Sequence, residues 1–291
     1  MIPAQFEYAA PSTVEEALAL LIDHGDEAKL LAGGQSLLPV MRMRMNAPEL
    51  VVDLGRIESL QGIRDDGDAL VIGAMTSYQA LLDDPAVHEH LLLLTKATET
   101  IADPQIRHRG TVGGALAHAD PAGDLGAAAL ALDASFTILG GSGRRTVAAA
   151  EFFQGLFETA VGENEILTEI RFPKHTGWGA HYEKFVRVAH QWSIVAVAAT
   201  VRASGGTIEE ARVGLTNMGD RPLRAASVEQ ALVGKAATED TVRQAVASVA
   251  EGTSPPSDLN GDADYRRHLA TVLTPRAVLA AAGRSGVTVP H

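Results

Sequence analysis

Two glycine pairs offer the most direct chemistry in this sequence: Gly33-Gly34, followed by Gln35 and Ser36, and Gly113-Gly114, preceded by Thr111. Glycine takes positive φ and lets backbone amides approach an anion, so such loops bind phosphate oxygens through neutral donors. Two of them can grip a pyrophosphate from both sides. On spacing alone, two ordinary turns account for the glycines equally well.

Other site chemistries are poorly supplied. The 291 residues contain no cysteine, which excludes disulfides, Cys-ligated zinc and iron–sulfur clusters held by thiolates. Any redox role therefore needs a bound organic cofactor or a partner's metal. His88 with His90 and His108 with His118 fall in no recognisable metal-ligand spacing. GGSGRR does not match G-x-G-x-x-G, no G-x-x-x-x-G-K-[ST] occurs, and no G-x-S-x-G elbow suggests a serine hydrolase. A Rossmann or P-loop fold is disfavoured.

The elements that must position the glycines can be read from periodicity. Ser12 or Thr13 caps a helix, Glu15 or Glu16 completes a capping box, and Gly25 ends it. Lys29 to Ala32 is a short strand entering the first glycine loop, and ELVVDLGRI is a buried strand. A first unit, 1–54, is expected to end there.

A second unit, 55–175, follows. DALVIGAMTSYQALLDD reads as a strand and a short helix, and HEHLLLLTKATETI as one amphipathic helix. A second glycine-rich loop then runs into an Ala-rich helix, followed by a hairpin around GGSG and a closing strand, ENEILTEIRFP. Lys174 to Ala180 is the expected linker to a third unit, 178–287. There, three strands with a hairpin at Gly205-Gly206 precede long helices from Arg224 to about Ala250 and from Pro275 to Arg284, with TSPPSDLNGDADY as a loop between them. That is an antiparallel sheet backed by helices.

Composition bounds the partners. Apolar residues make up 46% and aromatics 4%, which fits packed layers of helix and sheet. A net charge of −12 argues against a nucleic-acid surface. The N-terminus has neither a basic n-region nor an apolar h-region, and no run approaches the ~20 apolar residues of a membrane span. A cytoplasmic protein is expected.

AGGQSLLPVMRMRMNAPELVVDL, IADPQIRHRGTVGGALAHADPAGDL and EILTEIRFP, followed by YEKFVRV, together resemble the FAD-binding medium subunits of molybdenum hydroxylases, in particular the aerobic carbon monoxide dehydrogenase group. The resemblance spans essentially the whole chain. It implies an α+β class: a two-subdomain FAD-binding fold of the vanillyl-alcohol oxidase/PCMH type, then a C-terminal α+β domain. It also implies that Ala32, Gly33, Gly34, Gln35 and Ser36 bind the FAD pyrophosphate. Thr111, Gly113 and Gly114 form the second loop, and Asp124 is an acid contacting the cofactor. Ile101, Leu167 and Lys184 match further contact positions, and Trp192 falls where relatives carry an aromatic beside the isoalloxazine ring. Ala115 and His118 replace asparagines or similar polar residues of many relatives, and His118 is itself a candidate donor. For Asp124 a plain helix N-cap is the competing role, for Lys184 a surface strand residue, and for Trp192 a core tryptophan.

The implied function is electron transfer. A large subunit with the molybdenum cofactor oxidises substrate, a small subunit with two [2Fe–2S] clusters carries electrons, and non-covalent FAD in this subunit passes them on. The expected assembly is a heterotrimer, doubled to a dimer of trimers, with a quinone or other membrane-linked acceptor. Rival readings are a self-sufficient FAD oxidase, a flavin-free scaffold subunit and a reductase of cell-wall precursor synthesis. The oxidase reading is weakened because Gln35, with no neighbouring His, stands where several such oxidases attach FAD.

Overall fold

The computed structural model describes residues 1–283. Arg284 of the last expected helix, and residues 284–287 of the third expected unit, lie outside the described residues.

Thr13 caps α1 (Val14–His24), its hydroxyl accepting from the Glu16 amide, while the Glu16 carboxylate accepts from the Ser12 amide at 2.8 Å. Val14, Ala17, Leu18 and Leu21 recur at three- and four-residue spacing and are buried. Gly25, at φ +55, ends the helix. A parallel sheet packs under it: β1 (Glu7–Ala9), β2 (Ala28–Leu31) and β3 (Leu50–Asp53), with β3 central. Between β2 and β3 lie the first glycine loop and α2 (Leu37–Arg42).

The second sheet is antiparallel. β4 (Ile63–Asp65) and β5 (Ala69–Gly73) form one edge. The helices α3 (Tyr78–Asp83), α4 (Pro85–His90), α5 (Leu92–Glu99), α6 (Pro104–Arg109), α7 (Val112–His118) and α8 (Asp124–Ala131) follow. Strands β6 (Ser135–Gly140) and β7 (Gly143–Ala148) make the hairpin, and α9 (Ala149–Phe152) leads to a small pair, β8 (Phe153–Gly155) with β9 (Glu158–Thr159). β10 (Glu165–Pro173) is the middle strand of the order β4-β5-β10-β6-β7. The strand expected to close the unit is thus its centre, as its buried alternate residues Ile166, Ile170 and Phe172 require.

The third sheet is β11 (Gly179–Phe185), β12 (Val195–Ser204), β13 (Thr207–Thr216) and β14 (Leu223–Arg224), all antiparallel. Helices α10 (Ala226–Leu232), α11 (Glu239–Ala245) and α12 (Ala263–Ala282) follow. β12 is buried on both faces, and its alternation shows why its sequence is an unbroken apolar run. Val195, Val197 and Val201 point into the third core, while Ala196 and Ala198 join Tyr182 in the core of the second sheet. Small residues face the second unit because helix backbone lies against them. A Cβ on Gly214 of β13 would stand 2.2 Å from the Ala127 carbonyl oxygen of α8. We therefore expect Gly214→Ala to cost about 1–3 kcal/mol by overpacking, read as a lower denaturant midpoint at unchanged slope.

Three helix expectations are corrected. HEHLLLLTKATETI is two helices, α4 and α5, because Leu91 leaves the helical region (φ −130, ψ 47). The span from Arg224 to about Ala250 breaks at Gly234, whose φ of +77 stops α10, and the Gly234–Lys235 backbone pairs with Ile208 instead. The last helix begins at Ala263, not Pro275. Asp262 caps it, its carboxylate accepting from the Tyr265 amide, and the buried stripe Leu269, Leu273, Ala277 runs straight across Pro275. Also, Gly179 and Ala180 of the expected linker already belong to β11.

Candidate functional site

A cavity of about 700 Å³ opens where the three sheets meet, and the first glycine loop forms one wall. β2 delivers the chain at Leu31, and the loop turns at Gly34 (φ +75) into α2. Among the described residues, the amides of Gly33, Gly34, Gln35 and Ser36 have no acceptor in the protein. Four consecutive free N–H groups in one cavity wall form an anion-binding nest. The Gln35 side chain folds back, its Nε2 donating to the Gly33 carbonyl at 2.9 Å, and so stiffens the loop.

The second glycine pair works differently from the expected second cradle. Thr111 caps α7, and Gly113 and Gly114 are the first turn of that helix, not a loop. The Gly113 amide donates to the Ala74 carbonyl at 2.8 Å and the Gly114 amide to Thr111 Oγ1 at 3.1 Å, so neither is free. Both glycines instead permit close approach. A Cβ on Gly113 would lie 2.6 Å from Ala74 Cα, and one on Gly114 would lie 3.1 Å from Ala32 Cβ. Gly33 reciprocates from the first loop, where a Cβ would meet the Arg109 carbonyl oxygen at 2.3 Å. Gly33 thus packs against the Arg109–Gly110 backbone just before the second glycine motif, and Gly114 against the Ala32 side chain, so the two segments lie close together beside the cavity.

The opposite wall centres on Asp124, the first residue of α8. Gly123 is the N-cap, so the N-cap role weighed for Asp124 does not hold. The carboxylate is buried and accepts from Tyr182 Oη (2.8 Å), Ser193 Oγ (2.9 Å) and Lys184 Nζ (2.7 Å). Lys184 also donates to the Thr100 carbonyl at 3.2 Å, so it is no surface strand residue. Burial pushes the Asp124 carboxyl above the ordinary carboxylate range, and Lys184 is foremost among the groups that pull it back. Sequence reasoning missed Tyr182 and Ser193. The signal for Tyr182 was available, since residues two apart on a strand share a face with Lys184.

Between these walls the lining is mostly apolar. Ile101 and Leu167 contribute to it, and Trp192 lines it while 57% exposed, so Trp192 is not a core residue. His118 also lines it, beside the Phe157 ring at 5.1 Å, and burial lowers its pKa, leaving a neutral imidazole at neutral pH. All the sequence-predicted site residues, from Ala32 to Trp192, therefore stand around one cavity.

The donor set suits FAD. Neutral amides match a buried pyrophosphate, an apolar gallery matches a flat ring system, and the volume is in the range of cofactor sites, roughly 300–1,000 Å³. Among the described residues no cluster of His, Asp or Glu could hold a metal, and no helix is long and apolar enough to cross a membrane.

Comparisons with known proteins agree with this geometry. Residues 4–175 match the family described as the FAD binding domain in molybdopterin dehydrogenase, and residues 180–281 match the CO dehydrogenase flavoprotein C-terminal domain. The chain is 45% identical to the carbon monoxide dehydrogenase medium chain of Hydrogenophaga pseudoflava, covering 98% of this chain and 99% of that one. It is 34% identical to the nicotine 6-hydroxylase medium subunit of Paenarthrobacter nicotinovorans, over 98% of this chain and 99% of that one. The solved carbon monoxide dehydrogenase from Hydrogenophaga pseudoflava superposes with a TM-score of 0.95 at 46% identity, covering 98% of this chain and 100% of that one. Quinoline 2-oxidoreductase from Pseudomonas putida 86 superposes at 0.92 and 33% identity, over 97% and 99%. A nest of free amides facing a largely apolar cavity, carried on a chain that matches these proteins from end to end, places it in one family: the chain belongs to the FAD-binding medium subunits of molybdenum hydroxylases of the carbon monoxide dehydrogenase type, and is an oxidoreductase subunit.

Proposed function

We propose that the chain holds FAD non-covalently in this cavity and relays electrons from the [2Fe–2S] clusters of a small partner subunit to an external acceptor. The observation that carries the reading is the run of amides from Gly33 to Ser36 in the cavity wall, which have no acceptor among the described residues. In this reading those amides take the pyrophosphate, while Ile101, Leu167 and Trp192 pack the ring. The Asp124–Lys184 pair fixes the hydroxylated chain between them, and His118 stands by as a neutral donor. Bound FAD supplies the two-electron and one-electron chemistry that joins iron–sulfur relays to a two-electron acceptor. The chain's own residues bind and orient it and exclude water.

The assembly we propose contains a large molybdenum-cofactor subunit and the small [2Fe–2S] subunit, as a cytoplasmic dimer of heterotrimers that hands electrons to a quinone or another membrane-linked carrier. The absence of cysteine supports this division of labour, since clusters must then sit elsewhere. In this reading the chain divides into units 1–54, 55–175 and 178–287, and the cavity is lined by residues of all three.

The test is the visible spectrum of the purified chain, alone and with its partners, followed by acid precipitation. FAD released to the supernatant is the expected result. A yellow pellet would replace non-covalent binding by covalent attachment and favour a self-sufficient oxidase. A colourless protein that takes up no added FAD, even with partners present, would make the chain a scaffold subunit.

A further inference from the structure

Residues 186–194 connect β11 to β12 and bring His190, Gln191 and Trp192 to the cavity. Two side chains that do not line the cavity hold the far end of this connection. Asn217, in left-handed backbone (φ +62), donates through Nδ2 to the carbonyls of Ser193 at 2.9 Å and Ile194 at 3.3 Å. Arg266 of α12 donates through one terminal nitrogen to the same Ile194 carbonyl and through the other to Asp258 Oδ1 at 2.7 Å.

Arg266 is an expensive residue at this place. Its side chain is 0% exposed, the largest fully buried one among the described residues, and its Nε has no acceptor. Its neighbours on the buried stripe of α12 are Leu269, Ala270 and Leu273, so a leucine or methionine here would pack without the desolvation cost. The guanidinium is explained by the carbonyl it holds. One residue before that carbonyl, the Ser193 hydroxyl donates to Asp124, and two residues before it stands Trp192. At the near end, His190, also in left-handed backbone (φ +67), places Nδ1 2.7 Å from the Ala102 carbonyl. The segment from His190 to Ile194 is thus pinned at both ends, with Trp192 presented between the pins.

We propose that Arg266 is a positioning residue of the cofactor site: together with Asn217 it fixes the Ser193–Ile194 backbone, which sets the Ser193 hydroxyl on Asp124 and holds Trp192 against the bound flavin. This rests on the FAD reading above. Arg266 touches no part of the cavity and acts through two residues that do.

The experiment uses the full chain, with its partner subunits for FAD affinity and by itself for fluorescence, in a Trp178→Phe background so that Trp192 is the chain's only tryptophan. The variants are Arg266→Met, Arg266→Lys, Ser193→Ala, Asn217→Gly, which keeps the positive φ but removes the donors, and the Arg266→Met/Ser193→Ala double. FAD affinity, time-resolved anisotropy of Trp192 without FAD, and melting temperature are read for each. Arg266→Met should weaken FAD binding about tenfold or more, the loss expected for hydrogen bonds to a charged group. It should also raise Trp192 mobility before any FAD is added. Arg266→Lys should fall between it and wild type, and Asn217→Gly should show the same pattern. The double variant should bind FAD little worse than Arg266→Met alone, because both substitutions break one chain of contacts. Affinity losses that multiply, or a lower melting temperature with FAD affinity and Trp192 mobility unchanged, would overturn the proposal. Should Arg266→Met not fold, Arg266→Lys and Asn217→Gly decide by the same readouts. If the wild-type complex takes up no FAD, the cofactor reading fails, and Trp192 mobility still shows whether Arg266 holds the segment.

Discussion

Gly33→Ala abolishes flavin retention and lowers the stability of the chain by about 3 kcal/mol or more, the upper range for forcing atoms into packed structure. A Cβ at this position would lie 2.3 Å from the Arg109 carbonyl oxygen and 2.7 Å from Gly110 Cα. Both are backbone atoms at the end of α6, and they cannot swing aside as a side-chain tip would. Gly110 is itself confined, since a Cβ there would lie 2.4 Å from Tyr78 Cε2. The loop must therefore move as a whole, and the four free amides move with it. Gly34→Ala is the informative control. Gly34 has φ +75, which costs an alanine roughly 1–2 kcal/mol, but the nearest atoms to its Cβ would be the flexible side-chain ends of Leu38 and Leu31. Gly33→Ala should thus be the more damaging of the two in both denaturant unfolding and flavin content. The reverse order would show that turn conformation, and not the approach of the two glycine segments, sets the site.

Lys184→Met leaves the Asp124 carboxylate buried without its cation, and breaking a buried ion pair in this way costs about 3–5 kcal/mol. Tyr182 and Ser193 still donate to Oδ1, but Oδ2 loses its partner. The pH dependence follows from the direction of the Asp124 shift. Burial already holds its folded pKa above the unfolded one, so the folded chain keeps the proton to higher pH than the unfolded chain does. The stability associated with the protonated acid is fully present below the unfolded value and is lost as pH rises through the folded value. Losing Lys184 pushes the folded value higher still. The deficit of Lys184→Met relative to wild type should therefore be smallest below pH about 4, near the ordinary Asp pKa, and grow as pH rises towards neutrality. Denaturant unfolding at several pH values reads this out. A deficit independent of pH would mean that Lys184 acts through packing alone. Adding Asp124→Asn should recover part of the loss at neutral pH, because the neutral amide carries no charge to strand.

The sequence by itself determined the parts of this protein that depend on neighbours in the chain. Thr13, Glu16 and Gly25 bound α1 because capping and positive φ are local properties. The GGSG hairpin and the hairpin at Gly205-Gly206 closed as expected, since turn residues and period-2 strands fix their register. The residues around the cavity were legible through resemblance, because recognisable motifs carry them. Helix lengths were not legible in the same way. Leu91 and Gly234 interrupt runs that look continuous, and Pro275 sits inside a helix that its type suggests it should start. At Pro275 the buried stripe of Leu269, Leu273 and Ala277 outweighed a propensity worth about 3 kcal/mol, whereas at Leu91 and Gly234 a local change of backbone conformation ended the helix inside a run that reads as continuous.

Tertiary structure alone decided what the glycines do and which groups surround the acid. Gly33-Gly34 and Gly113-Gly114 look alike as sequence, yet only the first pair leaves its amides free, while the second spends them on Ala74 and Thr111. Asp124 meets Tyr182, Lys184 and Ser193 from 58, 60 and 69 residues away, and Arg266 reaches the Ile194 carbonyl across 72. No local pattern encodes such contacts. They exist because β12 is buried on both faces, Val195, Val197, Ala199 and Val201 on one and Ala196 and Ala198 on the other, with the third sheet held between its own helices and α8. A strand read by itself reveals that it is buried, and only the folded chain reveals what it is buried against.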